Sequence, residues 1–498
     1  MRVRFRKKLS CLILSGSTVL VSTLLLNNAS YAAETTKHVK KKHHRSTKQV
    51  MASNATPSAV SPSAMTAEGT SEPWNIRASE AYPRSWLIPG TDSRMKIYGM
   101  ISVLGRYDAT DAPDFDFIKM FGIYPNNNPN GSGPGHFGIS ARNSILGVET
   151  KTQTSMLGQI DTKLELGFES FGVDNRDAVA APLQNNYSIA LYQGYVSFKD
   201  TMLGQTFSNF IDVMAMPETL NFTNNAGVTL ILQPQARHTW NFGSNILSAA
   251  LESNESDFTY GGLSVTPTST GGPIFAVNPE SNVSYGTDAS LSRFPDVTLA
   301  FTHNANWGHV FVSGVARDIR MDVARSTLTN NMLGCNATFN PTGAAICAAY
   351  PAQLRSQAFG WALNGAARIN TFGKDNILLK YTYGNGVGRY LLFGLYSGAL
   401  VMTNGNLSTQ DMGGGYASYQ HWWTDALRTN LTYGMLHVAT PEVNGSIWKK
   451  FQSVNINLMW SPFPALTTGV EYFYAYDKFA NNSIGAMSRF MLGVNYAF

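Results

Sequence analysis

Apolar and polar residues alternate along the last segment of the chain. From Arg489 to Phe498, the even-numbered positions hold Phe, Leu, Val, Tyr and Phe, whereas the odd-numbered positions hold small or polar residues and one Met. Successive side chains of a β-strand point to opposite faces, so this pattern predicts a strand with one apolar face. Such a face suits a lipid-facing strand of a barrel, although an edge strand of a soluble β-sandwich would show the same alternation.

The alternation recurs upstream and predicts sixteen strands in all. They cover residues 95–107, 137–151, 158–171, 187–198, 202–210, 234–242, 246–254, 295–304, 309–322, 357–370, 376–385, 413–424, 427–437, 449–460, 466–478 and 487–498. Short connections alternate with long ones, a regularity that is typical of outer-membrane barrels, whose short turns face the periplasm. A soluble β-sandwich gives no reason for short and long connections to alternate. We therefore predict an all-β fold, a 16-stranded antiparallel transmembrane β-barrel over residues 86–498.

The first 85 residues predict two segments that precede the barrel. Five basic residues lie within the first eight positions, an apolar stretch follows over 9–26, and small residues stand at Ser30 and Ala32. This is the pattern of a secretory signal peptide, residues 1–32. Residues 33–85 contain a basic cluster over 40–45 and then a stretch rich in Ser, Ala, Pro and Thr, which predicts a disordered periplasmic segment. The segment suits a solvated tether, with contact to the cell wall or anionic lipid, or loose metal binding by His38, His43 and His44, as alternatives.

The charge of the chain is concentrated in those leading segments. Residues 1–75 hold eleven of the 37 Lys and Arg but only three of the 32 Asp and Glu, so the remainder is slightly acidic. The pI of about 8.9 therefore gives no reason to expect a nucleic-acid partner. Charged residues make up only 14% of the chain, as suits a barrel whose outer face lies in lipid.

Cysteine and histidine predict little chemistry. Cys335 and Cys347 remain after the signal peptide is removed, and we predict a disulfide between them in an external loop, with two free thiols as the alternative. No motif indicates a cofactor or metal site. The histidines His136, His303, His309, His421 and His437 have no serine or acidic partner by motif, so no catalytic residues and no enzyme activity are predicted.

Seven short motifs, in order along residues 86–498, resemble the DcaP-like trimeric porins of Gram-negative outer membranes. They are Ile88-Pro89-Gly90-Thr91-Asp92, Gly204-Gln205-Thr206-Phe207-Ser208-Asn209-Phe210, Pro217-Glu218-Thr219-Leu220, Gln233-Pro234-Gln235-Ala236-Arg237, Tyr383-Gly384-Asn385-Gly386-Val387-Gly388-Arg389-Tyr390, Trp460-Ser461-Pro462 and the closing Tyr496-Ala497-Phe498. The resemblance implies a homotrimer of water-filled barrels in the outer membrane, surrounded by lipid and lipopolysaccharide, that takes up dicarboxylates and other small organic anions. Ile145 and Leu232 depart from the Arg expected in that family, and the N-terminal tail replaces its coiled coil.

Selection in a porin depends on charges that line the narrowest part of the lumen. Strand parity predicts a belt of inward cations near the periplasmic side, formed by Arg237, Arg368, Lys380 and Arg428, with Arg489 also inward but higher. The fifth connection, 211–233, carries Asp212 and Glu218 and is predicted to fold inward as a constriction. Other predicted lumen charges are Asp161, Lys163, Glu165 and Glu471, of which the acidic ones are expected to face the basic belt.

These features predict a passive channel for small hydrophilic solutes. Two other functions stay open: a structural or adhesive barrel with long surface loops and little transport, and an outer-membrane enzyme. A third possibility concerns only the charges, which would pair locally in a wide lumen and have no selective role.

Overall fold

The computed structural model describes residues 82, 84–110, 123, 135–168, 189–221, 225–260, 292–324, 348, 351–391, 397–402, 404–439, 448–479 and 482–498. The predicted signal peptide, nearly all of the predicted disordered segment, and Cys335 and Cys347 lie outside the described residues. The predicted disulfide therefore stays a prediction.

Twenty-one strands form almost all of the described regular structure. In chain order they are β1 (Trp86–Leu87), β2 (Ser93–Asp108), β3 (His136–Ser140), β4 (Ile145–Thr154), β5 (Gly158–Gly167), β6 (Ala190–Phe198), β7 (Thr201–Phe207), β8 (Leu232–Phe242), β9 (Asn245–Glu252), β10 (Phe258–Tyr260), β11 (Asp296–Ala305), β12 (Gly308–Ala324), β13 (Gln353–Asn370), β14 (Asn376–Asn385), β15 (Ala399–Val401), β16 (Leu407–Thr409), β17 (Asp411–Trp422), β18 (Leu427–Val438), β19 (Trp448–Phe463), β20 (Leu466–Phe479) and β21 (Ile484–Ala497).

Eighteen of these strands form one closed antiparallel sheet, in which β21 pairs with β2. β3 and β4 occupy one position in the wall, because both pair with β2 and are separated only by an irregularity at 141–144. β1 is a two-residue strand at the edge of β2. The wall therefore has sixteen positions, which confirms the predicted barrel. β10, β15 and β16 form a separate small sheet.

The alternation of the last strand is realised as predicted. In β21, Phe490 and Leu492 are more than half exposed, whereas Arg489 and Met491 are buried inside the barrel. Exposed Trp240, Trp307, Trp423 and Trp460 lie close to the short turns, where an aromatic girdle marks the membrane interface. Closure of the sheet pairs the backbone groups that lipid could not satisfy. Among the described residues, no helix is long and apolar enough to cross a bilayer.

The two ends of the barrel sequence meet at one point. The Gly99 amide donates to the Phe498 carbonyl at 3.2 Å, and the Phe498 amide donates to the Gly99 carbonyl at 3.0 Å. Gly99 has to lack a side chain, because a Cβ atom there would lie 2.6 Å from the Phe498 ring and 2.7 Å from the Ile145 carbonyl. The sheet therefore closes with the last aromatic residue seated on a glycine.

The ordered body begins slightly earlier than predicted. Tyr82 and Ser85 fall within the segment 33–85 that the sequence predicts to be disordered, but both are buried against the barrel. The reason is that the Tyr82 ring packs over lysines of the lumen wall, which composition alone does not indicate.

The barrel interior holds a large apolar cluster. Phe210, Met216, Leu220 and Val228 from the connection between β7 and β8 pack there against inward residues of the wall such as Phe473. The described part of this connection, residues 208–221 and 225–231, is called the inner loop below.

Candidate solute pathway and constriction

The inner loop begins by crossing to β12 and β13. The Phe210 carbonyl accepts hydrogen bonds from Ser313 Oγ at 2.7 Å and Asn364 Nδ2 at 3.1 Å. Asp212 caps a short 3-10 turn, since its Oδ1 accepts from the Met214 amide at 2.9 Å, and its Oδ2 lies 2.7 Å from His309 Nε2. Asp212 therefore belongs to the first of the contacts that hold the inner loop inside the barrel.

Glu218 and Arg428 form the second anchor. The carboxylate accepts two hydrogen bonds from one guanidinium, one of them from Nε at 2.5 Å and the other from Nη2. Arg428 Nη1 also donates to Ser461 Oγ at 2.8 Å. The side chains are only 3% and 13% exposed, so this is a buried bidentate pair, the strongest common ion-pair geometry in proteins.

Glu471 forms the third anchor. Its carboxylate accepts hydrogen bonds from the Leu220 amide at 2.8 Å and from the side chains of Asn455 and Asn457. Leu220 packs beside Gly493 of β21, where a Cβ atom would lie 2.8 Å from the leucine side chain. Glu471 therefore holds the inner loop and does not stand free in the lumen.

Lys380 holds the returning half of the inner loop. Its Nζ donates to the Gly227 carbonyl at 2.8 Å and also to Thr229 Oγ1. Gly227 has a φ of +76°, and a Cβ atom there would lie 2.3 Å from the Gly415 amide nitrogen. Only glycine fits this close approach of the loop to β17.

The predicted cation belt thus divides into two pairs with different surroundings. Lys380 and Arg428 are buried and engaged by the inner loop, whereas Arg237 and Arg368 are partly exposed. Neither Arg237 nor Arg368 forms a hydrogen bond or ion pair with its side chain in the described part of the chain. Strand parity predicted the direction of all four, but it could not tell which of them the inner loop would engage.

The carboxylates near these two arginines are occupied by other donors. Glu252 lies within electrostatic range of Arg237, but it accepts from the Asn209 amide at 2.9 Å and from Thr298 Oγ1 at 2.7 Å. Asp212 lies within range of Arg368 but is bound by His309 and the Met214 amide. Within the described ranges, neither guanidinium group therefore has a carboxylate partner of its own.

The structure does not separate the charges into facing basic and acidic arcs. Glu252 lies on β9, next to β8 with Arg237, and Glu471 lies on β20, two strands from Arg428 on β18. On the β2–β5 wall, Lys163 lies 3.4 Å from Glu165 and 3.7 Å from Glu149, and Lys151 lies 3.7 Å from Asp161. Much of the lumen charge thus pairs locally.

Arg489 points into the barrel and is fully buried. It donates two hydrogen bonds to Asp108, one of them from Nη2 at 2.9 Å, and Arg106 Nη1 reaches the same carboxylate at 3.1 Å. All three side chains are buried. This cluster links the first and last strands of the barrel and offers no free charge to a solute.

A second buried network was not predicted. Arg317 Nε lies 3.1 Å from Asp296 and its Nη2 lies 2.8 Å from Asp257, while Tyr390 Oη donates to Asp296 at 2.8 Å. In the sequence, the motif ending at Tyr390 marked this region, but it did not show that Tyr390 and Arg317 would share the Asp296 carboxylate.

No family model and no curated protein matches the sequence. Among solved structures, the outer membrane channel DcaP of Acinetobacter baumannii overlaps this chain with a TM-score of 0.61 at 17% identity, covering 85% of this chain and 99% of that one. Two further porins overlap less well. OmpT of Vibrio cholerae has a TM-score of 0.47 at 10% identity, covering 83% of this chain and 100% of that one. An anion-selective porin from Comamonas acidovorans has a TM-score of 0.47 at 10% identity, covering 82% of this chain and 100% of that one.

The similarity to the DcaP channel extends over nearly the whole described barrel, but a sequence identity of 17% establishes the fold alone. This fold agrees with the one that the seven motifs predicted. The chain is a β-barrel with the fold of the outer-membrane channel DcaP.

Proposed function

We propose that the protein is a passive outer-membrane channel for small hydrophilic solutes that favours organic anions such as dicarboxylates. The observation that carries this proposal is the pair Arg237 and Arg368, two partly exposed lumen cations whose nearest carboxylates are bound by other donors. Fixed charge in a narrow lumen selects solutes of the opposite sign. A guanidinium also suits carboxylates, because it can donate to both oxygens at once.

The size of the effect follows from simple electrostatics. One cation attracts a monovalent anion 5 Å away by about 0.8 kcal/mol in bulk water, and more strongly in a lumen of lower dielectric constant. That corresponds to roughly fourfold enrichment for each free arginine. Screening weakens this attraction over about 10 Å at 0.1 M salt, so selectivity should be strongest at low ionic strength.

The inner loop supports a constriction of the lumen close to Arg368. Its anchors reach from His309 on β12 to Glu471 on β20, so it crosses a large part of the lumen. Arg368 lies within electrostatic range of both Asp212 and Glu218 of this loop. A solute that passes the loop therefore passes close to Arg368.

We further propose a homotrimer, in contact with lipid and lipopolysaccharide elsewhere. β5, β6, β7 and β9 have ten, nine, seven and eight residues, whereas β12 and β13 have 17 and 18. The outer face on this side of the barrel, where the strands are short, also carries Thr150 and Thr162, whose hydroxyls lie 2.7 Å apart. A wall of short strands with a partly polar outer face suits contact with other copies better than contact with lipid. The basic segment 40–45 stays a predicted cell-wall contact.

The test is ion selectivity of the purified protein in a planar bilayer under a salt gradient. Arg237→Ala with Arg368→Ala should lower the anion-to-cation permeability ratio while the barrel still assembles. Arg355→Ala is the matched control, because Arg355 is 73% exposed and pairs with Asp322 at the other end of β12 and β13. If the double variant keeps the selectivity of the unmodified protein, the two arginines do not select the solute.

A structural or adhesive barrel is the second candidate. The packing of the inner loop into an apolar cluster inside the barrel favours it, because such packing leaves less room for solutes. A folded protein that inserts into bilayers but carries no current would support this candidate over the channel.

A further inference from the structure

His309 and Arg368 are neighbours on the inner face of the wall. They lie directly opposite each other where β12 pairs with β13. Directly opposite residues of antiparallel strands have Cβ atoms about 4.5–5.5 Å apart. His309 is buried, whereas Arg368 is partly exposed to the lumen. Two side chains that can donate to a carboxylate therefore stand side by side below the start of the inner loop.

The Asp212 carboxylate of the inner loop lies within reach of both side chains, but only one of them holds it. Oδ2 lies 2.7 Å from His309 Nε2, and because a carboxylate only accepts, the imidazole is the donor. Oδ1 accepts from the Met214 amide at 2.9 Å. Arg368 lies within electrostatic range of this carboxylate, yet in the described part of the barrel it forms no ion pair with it. Both oxygens are therefore occupied by donors other than the guanidinium.

A guanidinium is the stronger partner for a carboxylate. It always carries its charge and can donate two parallel hydrogen bonds to the two oxygens. Arg368 would therefore turn to Asp212 if the imidazole did not occupy Oδ2. Its donors would then be directed at the inner loop and would be lost to a solute in the lumen.

Glu218 is the other acid within electrostatic range of Arg368. It accepts two hydrogen bonds from Arg428, so it already has a guanidinium of its own. Asp212 has no lysine or arginine partner among the described residues. Asp212 is therefore the carboxylate that decides whether Arg368 remains unpaired.

We propose that His309 is a positioning residue of the channel: by holding the Asp212 carboxylate, it keeps the Arg368 guanidinium free to bind the carboxylate of a passing organic anion. The inference rests on the proposed channel function. His309 itself does not contact the solute, because its side chain is buried beneath the inner loop. Without the imidazole, Asp212 pairs with Arg368 and the pathway loses one of its two unpaired arginines.

The experiment measures block of the chloride current by the dicarboxylate succinate in planar bilayers. His309→Leu should raise the succinate concentration for half block by roughly tenfold, as expected when hydrogen bonds to a charged group are lost. His309→Gln should keep most of the block, because the glutamine amide can donate to Asp212 in place of the imidazole. His303→Leu is the matched control, since it makes the same change on the outer face of β11, where the histidine contacts Asn245.

Two combined variants separate positioning from folding. Asp212→Asn keeps an oxygen for the Met214 amide but removes the charge that attracts Arg368. His309→Leu combined with Asp212→Asn should therefore regain the succinate block. Arg368→Ala combined with His309→Leu should be no weaker in block than Arg368→Ala alone, because both changes remove the same donor from the pathway.

The inner loop keeps its bonds to Glu471 and Lys380 in each of these variants, and heat-modifiable migration on electrophoresis measures the folded fraction. The role of His309 would be overturned by an unchanged succinate block in His309→Leu, or by a block that Asp212→Asn does not restore. An unmodified protein that is not anion-selective and is not blocked by succinate would instead overturn the proposed function.

Discussion

The Glu218–Arg428 pair offers a quantitative test of how the inner loop is held. Glu218→Gln removes one charge of a bidentate pair whose side chains are 13% and 3% exposed, with little change in shape. Arg428 then stays buried with a hydrogen bond to Ser461 but without its counter-charge. The variant should therefore weaken the docking of the inner loop without opening the barrel wall.

The magnitude follows from the burial of the pair. Removal of one partner from a buried ion pair costs about 3–5 kcal/mol, and the lower value suits a glutamine that still accepts a hydrogen bond. A cost of about 3 kcal/mol corresponds to roughly a 100-fold shift in the equilibrium between docked and undocked loop. The loop keeps its bonds to Glu471 and Lys380, so undocking becomes more frequent but does not become the dominant state.

Hydrogen exchange of the loop amides measures this shift directly, because exchange of a protected amide reports the free energy of local opening. The Leu220 amide, bound to Glu471, and the Ala226 amide, bound to Ser453 Oγ at 3.0 Å, are the reporters. Their protection in Glu218→Gln should fall by roughly 100-fold, whereas the amides of β12 and β13 should keep theirs.

Two further variants decide whether the pair is the cause. Glu218→Gln combined with Arg428→Met removes the stranded charge and should recover part of the lost protection. Lys374→Ala removes an exposed pair with Asp425 in a periplasmic turn and should leave the loop unchanged. Unaltered protection of Leu220 and Ala226 in Glu218→Gln would refute the anchoring role of the pair.

Two more predictions concern the barrel itself. Asp375 lies in a periplasmic turn, where hydrogen bonds from the Trp422 amide, and then from His421, lower its pKa from the ordinary 3.8 to about 2. The carboxylate therefore contributes to stability above about pH 4, and this contribution is lost as the pH falls to about 2. Asp375→Asn should therefore lower the urea midpoint of unfolding at neutral pH, and a difference that persists unchanged at about pH 2 would contradict this origin. Gly99→Val should reduce the fraction of heat-modifiable folded barrel on electrophoresis, because Phe498 occupies the space of the new side chain. Gly105→Ala is its control, since a Cβ atom there meets only the Leu492 carbonyl at 3.7 Å, and equal folding of the two variants would argue against seating of the last residue on Gly99.

The wall of the barrel could be predicted because one local rule governs it. Lipid on one side and the lumen on the other impose alternation, and the alternation of Phe490 and Leu492 with Arg489 and Met491 is visible in sequence. The same rule gave the inward direction of Arg237, Arg368, Lys380 and Arg428. The ends of the strands were predicted less closely than their directions. The predicted strand 137–151 is interrupted at 141–144, between β3 and β4.

The pairing of lumen charges could not be predicted, because it depends on contacts between distant parts of the chain. Glu218 meets Arg428 across 210 positions, and the Leu220 amide meets Glu471 across 251. Alternation places a charge in the lumen but carries no information about which loop residue reaches it. Tyr82 shows the same limit, since its neighbours in the sequence are those of a segment predicted to be disordered, whereas its contacts are with Lys151 and Glu149 of the distant wall.

We propose that the lumen cations Arg237 and Arg368 make this barrel an anion-preferring channel. The most direct measurement is the reversal potential of the purified unmodified protein in a planar bilayer under a salt gradient at low ionic strength, repeated with a small dicarboxylate. We expect an anion-selective sign and a chloride current that the dicarboxylate reduces. A cation-selective sign, or no current from folded and inserted protein, would contradict it.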